Sequence, residues 1–417
     1  MGGGRALVAG AALLAGGACA TAPPDAPPVP SQGMAAAATT APPVNPSRPG
    51  SPTAGTAGEA SVPARDEPVD ARATDMARYL AGMAGAGNAA LDELRGQRFW
   101  PEHARQLDAH WERLDSERLA GVRQLSAAEL TATERRSPWV FYPFGGADLA
   151  FADALFPHSP ELLLVGLEPV GAIPEVAQPD PARQQATLAR LREALVPALS
   201  LGYFITQRME EASVAGRFPG AVSLLYVFLA RTGHEILGVQ TVVIDGQGAV
   251  QPVATRSDAL APGVAIRFRR PGEAPRQVSY FRVDLRDEPL GKDGRFLALV
   301  RRHGRGATVL KCASYLLHEA RFSRLRQLIL GQSDVVVQDP SGLPFVAFEP
   351  SRWSVALYGS FAQPVARFAH RPQPELRRAC AARATVGKLA FPTGYQRSAA
   401  LSSLLVARPR PEAKPTP

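Results

Sequence analysis

Apolar residues recur every three to four positions in the first part of the chain that carries large side chains. This spacing predicts one helix over 70–96 and a second helix over 101–119. Pro101 suits the first turn of the second helix, because a residue at that position needs no backbone N–H. The two helices form the predicted N-terminal helical layer.

Further along, short and continuous apolar runs replace the helical spacing and predict buried strands. The runs 139–143 and 161–168 are predicted to pair in parallel, because a helical segment at 149–156 separates them. Three later strand-like runs have short connections, which favours antiparallel pairing: 235–244, 264–268 and 277–285.

The rest of the pattern alternates between the two element types. Helices are predicted at about 181–196, 200–213, 220–233, 293–303, 309–318 and 320–331. Strands are predicted at 334–338 and 353–358. We therefore expect one α/β domain over 70–406, with a helical part at 70–135. A mixed, partly parallel, Rossmann-like sheet with flanking helices is expected at 136–406.

Composition narrows the class of protein. The 417 residues are 46% hydrophobic, which supports a packed core, and the 3 cysteines exclude a disulfide-stapled scaffold or a multi-finger zinc protein. The net charge of +8 comes from basic residues spread along the domain. Because no basic block is interleaved with aromatic residues, we predict no nucleic-acid partner.

The first nineteen residues have the layout of a secretory signal. Arg5 precedes a short apolar run at 6–14, and small residues then lead to Cys19. A cysteine directly after Gly-Gly-Ala resembles the bacterial lipoprotein signal, although that family prefers Leu where Gly16 stands. The resemblance implies that Cys19 carries an acyl chain such as palmitate and anchors the protein to a membrane of the cell envelope. The alternatives are an ordinary cleaved signal that happens to contain a cysteine and a flexible Ala/Gly leader that is no signal.

The segment behind that cysteine is rich in Ala, Pro, Thr, Ser and Gly. Over 20–69 it has hardly any large apolar side chain, so it cannot bury enough surface to fold, and we predict a disordered tether. The C-terminal residues 407–417 are predicted to form a disordered tail for the same reason.

The first strand–turn–helix unit is the best candidate for a binding site. Gly145 and Gly146 follow the strand that ends near Tyr142, and glycines there allow a backbone to approach a ligand. Glu168 comes about twenty residues later, a spacing that resembles the ribose-binding acidic residue of Rossmann-type folds. The motif is G-G-x-D rather than G-x-G-x-x-G, so a tight packed turn, with Asp148 capping the next helix, is the alternative.

Two carboxylates are predicted at the carboxyl ends of adjacent parallel strands. Asp148 and Glu168 there could share a proton or hold a divalent cation, and we take them as candidate catalytic residues. Tyr142 and Asp339 could join them, although the sequence Asp-Pro-Ser-Gly that starts at Asp339 also suits an ordinary turn. The residues identify no particular metal or cofactor.

Nucleophilic chemistry has less support. No G-x-S-x-G motif occurs, and Ser314 and His318 would share one helix, which is not a triad geometry. We interpret His318 as a hydrogen-bonding residue between helices. Cys312 and Cys380 could form a disulfide or remain as two buried thiols.

Three segments of the domain resemble bacterial exported proteins that have no assigned activity: YPFGGADLAFADALFP, LLLVGLEPVGAIP and QDPSGLPF. The leading hypothesis is an exported, membrane-anchored lipoprotein whose α/β domain binds an unknown ligand or partner protein in the envelope. The second is an envelope hydrolase that uses Asp148 and Glu168, with or without a metal. The third is a Rossmann-like transferase that binds a nucleotide or S-adenosylmethionine. Export would separate such an enzyme from its cofactor.

Overall fold

The computed structural model describes residues 67–175, 180–203, 219–253, 262–382 and 385–411. The signal region with Cys19, the predicted tether up to residue 66 and most of the predicted helix 200–213 lie outside the described residues. Within the described ranges, no helix combines the length and the apolar character that a membrane span requires.

The N-terminal helical part is confirmed, with more and shorter helices than predicted. Its helices are α1 (Ala71–Leu80), α2 (Ala89–Arg95), α3 (Trp100–Leu114), α4 (Ala120–Glu129) and α5 (Thr131–Glu134), with a π-helical turn at Asp115–Leu119. The prediction of one helix over 70–96 is wrong. The backbone turns at Gly82, where φ is +70° and a Cβ would lie 2.7 Å from the Ala104 Cα. Asn88 then caps the new helix by accepting from the Ala90 N–H.

One sheet of eleven strands runs through the described residues. The strands are β1 (Trp139–Tyr142), β2 (Glu161–Gly166), β3 (Glu235–Ile244), β4 (Val250–Pro252), β5 (Pro262–Arg269), β6 (Arg276–Arg282), β7 (Gly306–Leu310), β8 (Ser333–Gln338), β9 (Trp353–Gly359), β10 (Thr385–Gly387) and β11 (Ser403–Pro409). Their order across the sheet is β10-β9-β11-β8-β7-β1-β2-β6-β5-β3-β4.

The middle of the sheet is parallel and its flanks are mostly antiparallel. The parallel pairs in the middle are β8–β7, β7–β1, β1–β2 and β2–β6, so the predicted parallel pairing of the first two strands is confirmed. At one edge β10 and β9 are also parallel. The pairs β6–β5 and β5–β3 are antiparallel, as predicted. On the other side β11 lies between β8 and β9 and is antiparallel to both.

Helices cover both faces of the sheet. They are α6 (Leu149–Leu155), α7 (Pro181–Leu201), α8 (Ala221–Arg231), α9 (Asp287–Lys292), α10 (Arg295–His303), α11 (Ser323–Gln332) and α12 (Pro374–Ala381). Alternate residues of β1 enter opposite cores. Val140 and Tyr142 belong to the core with α1–α4 and α6–α8, and Trp139 and Phe141 belong to the core with α9–α12. Burial on both faces explains why the central strands are apolar without interruption.

The largest error of the sequence prediction concerns β7. A helix was predicted over 309–318, but Gly306–Leu310 is a buried strand and Cys312–His318 forms a 3₁₀ helix. The strands β4, β10 and β11 were also not predicted. Because β11 continues to Pro409, the predicted domain end at 406 and the start of the tail at 407 fall inside a strand.

Candidate functional site

The order of the parallel strands defines a switch point in the sheet. The five parallel strands β1, β2, β6, β7 and β8 can be numbered 1 to 5 along the chain. Across the sheet they then lie in the order 3-2-1-4-5. This is the order of the first five strands in a doubly wound nucleotide-binding sheet. Successive strands extend first to one side of β1 and then to the other, and ligands bind outside the carboxyl ends of strands at such a point.

A cavity of about 370 Å³ opens at the carboxyl ends of β1, β2, β6 and β7. Most of its lining side chains are apolar, among them Phe144, Leu167, Leu285, Leu316 and Phe322, and its polar members include Glu168, Asp284, Arg286 and Arg321. This volume lies at the lower end of the range of small-molecule binding sites. Like most such sites, the cavity is lined mainly by apolar side chains and by a few polar groups.

Glu168 is held at one wall of this cavity by the neighbouring strand. The Tyr280 hydroxyl of β6 lies 2.8 Å from the Glu168 carbonyl oxygen and 3.2 Å from its Oε2. Burial, and then the Glu168 charge, raise the pKa of Tyr280 well above its usual value, so the phenol remains a donor. Gly166 makes room for this arrangement, because a Cβ there would lie 2.1 Å from Glu168 Oε2.

The two candidate glycines pack against protein groups. A Cβ on Gly145 would lie 2.7 Å from the ring of Tyr142, so this glycine admits the tyrosine ring. Gly146 has φ +57° and donates its N–H to the Val165 carbonyl at 3.1 Å. The tight packed turn is therefore the interpretation that the structure supports for both glycines.

Phe144, in the same turn, has a left-handed backbone with φ +61°, which is uncommon for a residue with a side chain. Its ring meets the Phe322 ring edge-on at 5.7 Å between centroids. The turn after β1 thus supplies an aromatic wall of the cavity.

Asp148 occupies the N-cap position of α6, but its side chain does not cap the helix. Its carboxylate accepts from the Tyr142 hydroxyl at 3.0 Å and forms a buried ion pair with the Lys311 ammonium. Lys311 also donates to the Gly202 carbonyl at 2.8 Å and lies 3.9 Å from the centroid of the Phe151 ring. Asp148 therefore stands at the predicted N-cap position, but its carboxylate bonds Lys311 and Tyr142 rather than the backbone N–H groups of α6.

Asp339 follows β8 and is fully buried. Its carboxylate accepts from the Ser341 N–H at 2.7 Å and from the Cys312 N–H at 3.2 Å. Burial raises the pKa of Asp339, and these hydrogen bonds oppose that rise. The bond from Ser341 is the ordinary turn interaction that the sequence offered as an alternative role.

The structure divides the predicted site residues between two neighbourhoods. Tyr142, Asp148 and Asp339 belong to a buried cluster with Lys311 and Cys312, beyond the ends of β1, β7 and β8. Glu168 instead faces the cavity beside Tyr280. Across the described ranges, no group of three or more His, Cys, Asp or Glu side chains is arranged to hold a metal ion.

Sequence reasoning missed several residues of the site. Lys311 and Cys312 were placed inside a helix, whereas they directly follow a strand. Cys312 has φ +60°, and burial raises the pKa of its thiol well above the usual value. Cys312 and Cys380 are free thiols, so the structure corresponds to the unbonded alternative. The rarity of lysine in this arginine-rich chain was the one signal that could have singled out Lys311.

The Ser314–His318 pair forms no catalytic dyad. The Ser314 hydroxyl donates to the Lys311 carbonyl at 3.3 Å, and His318 Nε2 lies 3.0 Å from the Gly342 carbonyl. The hydrogen-bonding role of His318 is confirmed, although its partner lies in a loop rather than in a helix.

Comparison of the chain with protein-family models, with curated proteins and with solved structures finds no match. What the site can bind follows from the strand order, the cavity and the residues that line it.

Proposed function

We propose that the domain binds a small molecule that carries a ribose, in the cavity at the ends of β1, β2, β6 and β7. The observation that carries this proposal is the position of Glu168. It follows the second strand of a sheet with the order 3-2-1-4-5 and opens into a largely apolar cavity. A carboxylate at that place accepts hydrogen bonds from ribose hydroxyls in nucleotide-binding folds of this order.

The cavity walls favour an aromatic ring as the second part of the ligand. Phe144 and Phe322 contact each other edge-on, and Leu285 and Leu316 add apolar surface. Aromatic and aliphatic walls stabilise a flat ring by burial and stacking. A nucleoside combines such a ring with a pair of ribose hydroxyls, from which Glu168 would accept hydrogen bonds.

The turn after β1 argues against a dinucleotide. Two of the usual glycines are missing, Phe144 occupies the turn, and the Asp148 carboxylate stands at the start of α6. A pyrophosphate there would meet a carboxylate instead of free helix N–H groups. A mononucleoside or S-adenosylmethionine fits this turn better than a nicotinamide dinucleotide.

We also propose that the domain is displayed in the cell envelope by a lipid on Cys19, which the signal pattern in 1–19 supports. In that location the domain would act as a binding module for a nucleoside-type ligand that reaches the envelope, because cytoplasmic S-adenosylmethionine is not supplied there. Cys19→Ala is then expected to move the protein from the membrane fraction to the soluble fraction. A variant that stays with the membrane contradicts the lipid anchor on Cys19.

A hydrolase that uses Asp148 and Glu168 has less support. The Asp148 carboxylate is engaged by Lys311 and by Tyr142, so it is not available as a general base without breaking a buried ion pair.

Calorimetric titration with adenosine tests the proposed function. Glu168→Gln is expected to weaken adenosine binding about 10- to 100-fold, since hydrogen bonds to a charged acceptor are lost. Wild-type protein should bind 2′-deoxyadenosine more weakly than adenosine, and the variant should not distinguish the two. The exposed Glu349→Gln provides a control with the same change of charge. Wild-type protein that binds neither adenosine nor S-adenosylmethionine refutes the proposal.

A further inference from the structure

Two arginines stand at the mouth of the cavity that contains Glu168. Arg286 directly follows the apolar wall residue Leu285, and Arg321 directly precedes the wall residue Phe322. Their side chains are 49% and 57% exposed, so both guanidinium groups reach solvent at the rim. The rim is therefore polar where the interior is apolar, and it carries two guanidinium groups together with their carboxylate partners Asp284 and Glu319.

A capping interaction brings these two arginines to the same rim. The carboxylate of Asp287, the residue after Arg286, accepts from the Ser323 N–H at 3.0 Å and from the Arg324 N–H at 2.8 Å. It also accepts from the Ser323 hydroxyl at 2.6 Å. These bonds tie the start of α9, directly after Arg286, to the first turn of α11, so they bring the backbone of Arg286 to the same rim as that of Arg321.

Each guanidinium group has N–H donors that its carboxylate partner does not use. Arg286 bonds the Asp284 carboxylate through Nε, at 2.8 Å, and through Nη2. Arg321 bonds Glu319 through Nε at 2.6 Å. Within the described part of the chain, the hydrogen bonds of Arg286 use Nε and Nη2 and those of Arg321 use Nε, so Nη1 of Arg286 and both terminal nitrogens of Arg321 have no protein partner. Exposed ion pairs within one loop contribute little to stability, so an incoming anion can share or replace these carboxylates.

We infer that the ligand of this cavity carries an anionic group, a phosphate or a carboxylate, that binds between Arg286 and Arg321 at the rim. The inference rests on the proposed function, because it adds a charged group to the nucleoside placed against Glu168. Planar guanidinium groups bind both kinds of anion through paired hydrogen bonds. The anion thus lies at the arginine rim rather than at the turn after β1, where Asp148 stands.

Titration calorimetry at low salt with three probes tests this inference. Adenosine has no anionic group, adenosine 5′-monophosphate adds a phosphate, and adenosine-5′-carboxylic acid adds a carboxylate. At least one anionic probe is expected to bind about tenfold or more tightly than adenosine, and which one does so identifies the group. In Arg286→Gln and in Arg321→Gln, the affinity of that anionic probe divided by the affinity of adenosine should fall towards one.

Arg324→Gln is the matched control. It removes the same charge from the first turn of α11, close to Arg321 in the chain, but Arg324 does not line the cavity, so the affinity ratio should keep its wild-type value. If adenosine binds and neither anionic probe binds more tightly, the inference is wrong while the proposed function stands. If Arg324→Gln lowers the ratio as much as Arg321→Gln, the effect is one of general charge and the inference is also wrong. If adenosine itself does not bind, the proposed function fails first.

Discussion

At the scale of single residues, Asp148 and Glu168 have different surroundings, although the sequence pattern predicts the same position for both, at the carboxyl ends of adjacent parallel strands. Asp148 is neutralised by Lys311, with 13% and 6% of the two side chains exposed, and it accepts from Tyr142. Glu168 accepts from a tyrosine hydroxyl and faces a cavity. The first carboxylate is therefore engaged in a buried ion pair, and the second lines the cavity in which we propose that the ligand binds.

Asp148→Asn should destabilise the protein strongly. It leaves the Lys311 ammonium buried without its counter-charge, which costs about 3–5 kcal/mol in comparable cases. Urea unfolding measures the loss. Asp115→Asn is the control, because the Asp115–Arg123 pair is exposed and should contribute at most about 1 kcal/mol. Similar small losses for both variants would show that Lys311 keeps its solvation and that the buried pair is not the stabilising feature.

At the scale of elements, two turns at the ends of central strands have unusual backbones. Phe144 follows β1 with φ +61°, and Cys312 follows β7 with φ +60°. Left-handed backbones at residues with side chains cost on the order of 1–3 kcal/mol each and persist where the surroundings hold them. Cys312 is held by Asp339 and Phe144 by Phe322. Both turns border the switch point, as expected of a functional site.

Element prediction succeeded where the local pattern was distinctive and failed where it was not. The strand–turn–helix unit from Trp139 to Leu155 was predicted almost to the residue, because the glycine turn separates two kinds of spacing. The strand Gly306–Leu310 was missed because a strand buried on both faces shows no alternation. Its apolar run continues into Cys312–His318, so the whole stretch has the spacing of a helix.

At the scale of the whole molecule, buried histidines make stability depend on pH. Burial lowers the pKa of His103 and of His234 to about 4. In the unfolded chain both would titrate near their ordinary value of about 6.5, so between pH 6.5 and 4 the unfolded state binds more protons. The stabilisation is complete above that window and is lost as the pH falls through it, by roughly 2 kcal/mol for each histidine at pH 5.

Urea unfolding of the wild type and of His103→Gln at pH 7 and pH 5 checks this expectation. His103 Nε2 lies 2.9 Å from the Leu80 carbonyl, and Nδ1 faces Arg192 at 3.1 Å, so a proton on Nδ1 would meet the guanidinium. Glutamine cannot take up that proton. The variant should therefore lose roughly 2 kcal/mol less than the wild type over this interval. An equal loss in both proteins contradicts the proposed role of His103.

The sequence by itself determined the α/β class, the parallel pairing of the first two strands and the place of Glu168 at the end of the second. These features depend on spacing and turn residues that lie within a few positions of each other. Only the tertiary structure put Lys311 against Asp148, 163 residues away, and Tyr280 against Glu168, 112 residues away. Such contacts depend on which strands become neighbours, and that order is set by the burial of both faces of the sheet rather than by any local pattern.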